Sequence, residues 1–292
     1  MATAESATPL DALRGSQGFT MVALDQRESL RAMFAGAGVD AADADLQRFK
    51  REAIATLSPH TSAILTDRQF GVPNGRPADL APDCALILAA DVLHANEAGA
   101  ITRSTVDPTV TPELIADVGA VALKYLVIWY PDQGREERAK VVGEFMNLCA
   151  ASNTASVLEG IVKPAPGQEW TDGAARDAAV RDAAVELAGF GPDLYKGEVP
   201  GYRQGDLSLV AAESKRVTEL IDCPWVVLSN GVAAPEFSDA VDAACAGGAG
   251  GFLAGRAIWK DTVGEPDPVQ AMRERSIPRL TELRRIVGAH TP

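Results

Sequence analysis

Phe19-Thr20-Met21-Val22-Ala23-Leu24-Asp25-Gln26-Arg27 decides between two ways of building a parallel sheet. Residues 19–24 form a short apolar run of strand length, and it ends on a carboxylate, an amide and a guanidinium. A doubly wound open sheet prefers a glycine fingerprint after its first strand, where backbone must approach a dinucleotide's phosphates, and no glycine stands here. Working outward, similar runs occupy residues 63–65, 85–90, 122–130, 156–162, 193–199, 225–228 and 251–254. Helical patterns lie between them. Residues 45–57 put Leu46, Phe49, Ala53 and Leu57 on one face. Thr111 before Pro112 starts a helix over 112–118 that leads up to Gly119. Further helices are expected over 135–149, 173–187, 234–245 and 269–287. Strands alternating with helices in this way predict an α/β fold, a (β/α)8 TIM barrel. No linker or charge block divides residues 1–292, so one barrel domain is expected.

Composition narrows the function. The chain is 47% hydrophobic and 23% charged, which suits a globular protein rather than a disordered or fibrous one. Its formal net charge of −13 repels phosphate backbones and anionic membranes, so neither nucleic acid nor membrane is an expected partner. An anionic ligand would need a local cluster of Lys or Arg. No signal-peptide pattern opens the sequence and no apolar run reaches about 18 residues, which predicts a cytoplasmic protein. Cys84, Cys149, Cys223 and Cys245 are widely separated in apolar surroundings and read as buried, reduced thiols. His60, His94 and His290 lack metal-ligand spacing, so no metal or other cofactor is expected. Acidic barrels of this size often associate, and a homo-oligomer is expected.

In such a barrel the chemistry gathers where the strands finish. Lys124, in Ala122-Leu123-Lys124-Tyr125, and Lys196, in Leu194-Tyr195-Lys196-Gly197-Glu198, are embedded in apolar strand. Burying an unpaired ammonium costs several kcal/mol and is commonly relieved by loss of its proton. Two ammonium groups facing one cavity disfavour each other's charge, a route from about 10.4 down to roughly 7–8. Either lysine could then attack a ketone to form an imine, and either could equally belong to a structural ion pair. Alternation puts Lys196 and Glu198 on one side of their strand. Glu159 could balance Lys124 or Lys163, or act as a general acid/base; Asp25 is open to the same two readings. The last two strand ends, Leu228-Ser229-Asn230-Gly231 and Leu253-Ala254-Gly255-Arg256, suit a phosphate site of backbone N–H groups, a hydroxyl and a cation. Gln26 and Arg27, with Arg31 a helical turn further on, are candidates for the far end of a substrate.

Taken in order, Leu24-Asp25-Gln26-Arg27, Leu123-Lys124, Leu158-Glu159, Tyr195-Lys196, Ser229-Asn230-Gly231 and Ala254-Gly255-Arg256 resemble the class I aldolase group that includes tagatose-bisphosphate aldolase. The resemblance covers nearly the whole chain. Residues 18–28, 57–65 and 251–259 are most similar to sulfofructosephosphate aldolases. It implies a metal-free Schiff-base lyase in which Lys196 forms the imine and Glu159 is the acid/base. Lys124 would be the accessory lysine and Asp25 the first-strand aspartate, with Ser229, Gly231, Gly255 and Arg256 in the phosphate loops. The implied reaction cleaves 6-deoxy-6-sulfofructose 1-phosphate to dihydroxyacetone phosphate and 3-sulfolactaldehyde, a step of sulfoglycolysis. Tagatose or fructose 1,6-bisphosphate is the alternative substrate, and a non-catalytic sugar-phosphate sensor is the alternative of another class. Gly197 stands where a bulkier apolar residue is expected after the lysine, and Asn230 where a serine is expected.

Overall fold

The computed structural model of the chain describes residues 8–291 apart from 98, 132 and 166. The strands are β1 (Phe19–Leu24), β2 (Ala63–Thr66), β3 (Ala85–Ala89), β4 (Asp91–Ala95), β5 (Ile101–Val106), β6 (Ala122–Trp129), β7 (Ala155–Val162), β8 (Leu194–Gly197), β9 (Trp225–Val227) and β10 (Gly251–Ala254). All but β4 and β5 close a parallel barrel in the order β1-β10-β9-β8-β7-β6-β3-β2. Each apolar run expected as a strand is in it. The helices are α1 (Glu28–Gly36), α2 (Asp43–Leu57), α3 (Pro112–Val118), α4 (Arg135–Ser152), α5 (Gly173–Ala188), α6 (Val210–Leu220), α7 (Phe237–Ala246), α8 (Arg256–Trp259), α9 (Pro268–Ala271) and α10 (Ile277–His290). Among the described residues no helix is long and apolar enough to cross a membrane.

Local chemistry sets the boundaries. Thr111 caps α3 by accepting from the Leu114 N–H, Pro112 occupies the first turn, and Gly119 leaves the helix at φ 63°. Asp172 caps α5 in the same manner, accepting from the Ala175 N–H at 2.8 Å. Alternation along the strands splits the core in two. Phe19, Met21, Ala63, Leu65, Ile87, Ala122, Val157, Leu194, Val226 and Leu253 fill the barrel, joined by Leu13. Residues of the opposite parity, such as Val22, Leu123, Leu158 and Phe252, pack outward against the helices. At the closing seam Gly251, φ 135°, lies where any Cβ would come within 2.0 Å of the Phe19 carbonyl, so only glycine lets β10 approach β1.

Three features depart from the sequence reading. β4 and β5 form an antiparallel hairpin inserted after β3; their half-exposed faces blur the alternation that marks a strand, and Ser104 ties the hairpin to β6 through the Tyr125 hydroxyl and the Leu126 carbonyl. α6 buries Glu213 and Ser214 beside Val210 and Val217, so its inner face lacks an apolar stripe. Arg181 and Arg216 neutralise Glu213 there. The expected helix over 269–287 is divided by a π-turn, Met272–Ser276, between α9 and α10.

Candidate active site

Along the inward face of the barrel, apolar residues near the strand starts give way to charged ones near the strand ends. Ala23 is followed two residues on by Asp25, Ala89 by Asp91, Ala122 by Lys124, Val157 by Glu159 and Leu194 by Lys196. Residues two apart share a face, so these five groups meet at the C-terminal mouth. Lys124 Nζ lies 2.6 Å from Asp25 Oδ2, 2.7 Å from Asp91 Oδ2 and 3.4 Å from Glu159 Oε2. Lys196 is opposite Glu159 in the β7–β8 register, and its Nζ donates to Glu159 Oε2 at 2.9 Å. Both lysines are almost completely buried. Glu159 therefore balances Lys124 and Lys196, and not Lys163, whose ammonium reaches the Ile101 carbonyl of the hairpin.

Charge in this cluster follows from its partners. Burial alone would strip Lys124 of its proton, but Asp25, Asp91 and Glu159 outweigh it and hold the ammonium above the ordinary lysine range. Lys124 is thus a fixed cation, and the expectation that facing lysines would discharge it is corrected: carboxylates stand between them. Burial likewise pushes the Asp25 carboxyl up, yet Lys124, Lys196 and Arg27 hold it well below the usual carboxylate range. The site combines a buried amine, a carboxylate within a proton's reach of it, and a permanent positive charge beside that carboxylate. Such a set can form an imine and shuttle protons around it.

The candidate anion loops adjoin one another. Arg256 Nη2 donates to Asn230 Oδ1, linking the β9 and β10 loops, and Ser229 is buried next to Asn230. Gly231 takes φ 76°, a left-handed conformation that suits glycine. Gly255 lies so near β1 that a Cβ would come within 2.6 Å of the Ala23 carbonyl and 3.0 Å of Gln26 Nε2. Gln26 thus sits beside Gly255, with its Oε1 buried and unpartnered among the described residues. Arg27 is turned onto Asp91, donating to Oδ1 at 2.5 Å and to the backbone carbonyl at 2.7 Å. Arg31 is not at the site; it is bound to Asp43, Glu28 and the Ala41 carbonyl.

Sequence reasoning missed Asp91, although the run 85–90 ends on a carboxylate just as the run 19–24 does. It also missed Arg176 of α5, whose guanidinium binds Glu198 Oε1 at 3.0 Å, because nothing marks it among solvated helix arginines. Glu198, just past β8, accepts as well from the Val162 N–H at 2.9 Å. The glycine after the imine lysine candidate has a packing cause. A Cβ at Gly197 would meet the Tyr195 ring at 2.9 Å, and one at Gly160 would meet the Tyr195 hydroxyl at 2.7 Å. Tyr195 occupies the space a larger residue would take. Two of the three histidines bond to groups outside the charged cluster: His94 to Thr105 on the hairpin and His290 to Asp242.

Known proteins resemble this chain in sequence and in fold. Residues 19–261 match the family described as DeoC/LacD family aldolase. Tagatose 1,6-diphosphate aldolase 2 of Enterococcus faecalis is 26% identical over 291 residues, covering 89% of this chain and 85% of its own. Among solved structures, fructose-bisphosphate aldolase of Plasmodium falciparum superposes with TM-score 0.75 at 13% identity, covering 97% of this chain and 93% of that one. An archaeal fructose-1,6-bisphosphate aldolase, solved with its catalytic Lys bound to a carbinolamine intermediate, gives TM-score 0.63 at 15% identity, covering 94% and 100%. These structural likenesses speak to the barrel. The family match spans most of the chain, so this protein belongs to the DeoC/LacD aldolase family and is an aldolase, a carbon–carbon lyase.

Proposed function

We propose that this aldolase works through a Schiff base on Lys196 and cleaves a ketose 1-phosphate. The observation that carries the reading is the 2.9 Å contact between Lys196 Nζ and Glu159 Oε2 at the charged mouth of the barrel. In this mechanism Lys196 passes a proton to Glu159 and attacks the C2 ketone. Glu159 returns the proton to the carbinolamine oxygen, and water leaves. The iminium accepts the electron pair released when the C3–C4 bond breaks, while a carboxylate, Asp25, takes the proton of the C4 hydroxyl. The aldehyde departs, the enamine is protonated at C3, and hydrolysis releases dihydroxyacetone phosphate and the free amine. Ser229, Asn230, Gly231, Gly255 and Arg256 hold the phosphate, which turns remote binding into orientation. The archaeal neighbour's lysine-bound carbinolamine supports the covalent step.

For the far end of the sugar the reading is a sulfonate, that is, 6-deoxy-6-sulfofructose 1-phosphate. A phosphate monoester is mostly a dianion whereas a sulfonate carries one charge. Arg27 and Lys124 are occupied by carboxylates and so offer no free charge to a second dianion. Tagatose 1,6-bisphosphate is the second reading, favoured by the name of the Enterococcus relative. Borohydride reduction in the presence of dihydroxyacetone phosphate, followed by peptide mapping, should place the adduct on Lys196 and leave Lys196→Ala unmodified. An adduct on Lys124, or none, refutes the mechanism. Comparing kcat/KM for the three ketose phosphates decides the substrate, and equal or better turnover of a bisphosphate ends the sulfonate reading.

A further inference from the structure

We propose that Asp91 and Arg27 form a positioning pair for the cleavage reaction, in which Arg27 clamps Asp91 so that Asp91 draws Lys124 away from Glu159 and leaves Glu159 to Lys196. The proposal rests on the Schiff-base reading of Lys196 and adds to it two residues that need not touch substrate.

Asp91 has no oxygen to spare. Its Oδ1 accepts from Arg27 Nη2 at 2.5 Å, and its Oδ2 accepts from Lys124 Nζ at 2.7 Å and from the Leu126 N–H at 3.2 Å. Its backbone carbonyl takes the second Arg27 donor at 2.7 Å, so the guanidinium grips the residue at both ends. The Asp91 side chain is wholly buried and that of Arg27 is 18% exposed. The backbone is pinned too: the Ala90 N–H donates to the Lys124 carbonyl at 2.8 Å, and Asp91 pairs with Val106 at the root of the hairpin.

The distances show what this accomplishes. Lys124 is faced by Asp25 just past β1, Asp91 at the start of β4 and Glu159 from β7, with Lys196 of β8 behind Glu159 and Arg27 behind Asp91. It sits close to the first two, at 2.6 and 2.7 Å, and at 3.4 Å from Glu159, while Lys196 is the nearer of the two lysines to Glu159 at 2.9 Å. If Asp91 loses its charge, Lys124 has only Asp25 and Glu159 to neutralise it. It then competes with Lys196 for the carboxylate that must move the imine proton. Arg27, engaged at two points by Asp91, acts through this clamp and not by holding the far end of the substrate.

Steady-state kinetics, pH–rate profiles and single-turnover borohydride trapping on Asp91→Asn, Arg27→Gln and Arg27→Lys test the pair. Asp91→Asn should lower kcat and the trapping rate by about 10- to 100-fold with KM little changed. The alkaline limb of its profile should move to lower pH, because Lys124 has lost one of its three counter-charges. Arg27→Gln should show the same signature more weakly, and Arg27→Lys should recover part of the loss. A raised KM in Arg27→Gln with kcat and pH profile unmoved makes Arg27 a substrate ligand and overturns the proposal. So does an Asp91→Asn profile of wild-type shape whose lower kcat matches its folded fraction. Should Asp91→Asn not fold, the two Arg27 variants decide the question by themselves. A wild-type adduct absent from Lys196 condemns the Schiff-base reading itself, whereas a wild-type adduct on Lys196 with unmoved variant profiles condemns only the pair.

Discussion

Replacing Lys124 by methionine keeps most of the side chain's length and apolar stem and removes its charge, so it isolates the electrostatic part of the mouth. Three carboxylates lose a neighbour, but unequally. Arg27 still pairs with Asp91 and Lys196 with Glu159, whereas Asp25 loses its only direct ion-pair partner among the described residues. Removing one partner from a buried ion pair costs about 3–5 kcal/mol, because the other charge stays desolvated. At roughly 2–4 °C per kcal/mol this lowers Tm by about 6–20 °C. Acid should shrink the deficit. In the wild type Asp25 is held below its ordinary range, so its contribution is present above about pH 3.9 and is lost as pH falls below that. Lys124 is held above its range, so its contribution is present below about pH 10.4 and is lost only as pH rises through the higher folded value. Without Lys124, protonation of Asp25 relieves the buried charge, and the variant should approach the wild type as pH falls toward about 4. Urea unfolding at several pH values measures this, and Asp25→Asn in the Lys124→Met background should restore part of the stability. A deficit under about 1 kcal/mol at neutral pH, or double-variant losses that simply add, would refute the idea that Asp25 is stabilised by this lysine.

Glu159→Gln keeps the shape of the side chain and removes its capacity to take a proton; kcat should fall about 10²- to 10⁴-fold and imine trapping should slow with it, whereas unchanged trapping would move the acid/base role elsewhere. Arg256→Ala should raise KM for the phosphorylated sugar by roughly tenfold or more, and Arg256→Lys should recover only part of it, since an ammonium cannot clasp two oxygens in a plane. Gly197→Val should cost about 1–3 kcal/mol by forcing the Tyr195 ring from its place, and a Tyr195→Leu background should reduce that cost, as thermal melts of the single and double variants will show. Burial pushes all four thiols up, those of Cys84, Cys149 and Cys245 to about 12, and Cys223 alone of the four is half-buried, so at pH 8 iodoacetamide should modify Cys223 first, with mass mapping as the check.

The barrel and most of its charged mouth are written locally. A buried strand must be a short apolar run, and a barrel strand that reaches a polar mouth must end on something charged. Phe19–Leu24 and Gly251–Ala254 appear with the boundaries the runs suggest, and Asp25, Lys124, Glu159 and Lys196 stand out because ionisable groups inside apolar strands are rare. What hides from that logic is whatever depends on a partner distant in sequence. α6 conceals its face because Glu213 is neutralised by Arg181, and Gly197 makes sense only once Tyr195 is seen to fill its space.

The same division runs through the site. Strand alternation fixes which residues share a face, as it does for Lys196 and Glu198, since parity along a strand is a local property. Only the closed barrel decided which charges meet: that Lys124 lies between Asp25 and Asp91 and stays charged, that Glu159 pairs with Lys196, and that Arg27 folds back onto Asp91. Pairing energies depend on separations of a few ångströms between strands far apart in the chain, and those separations exist only after the sheet has closed on itself.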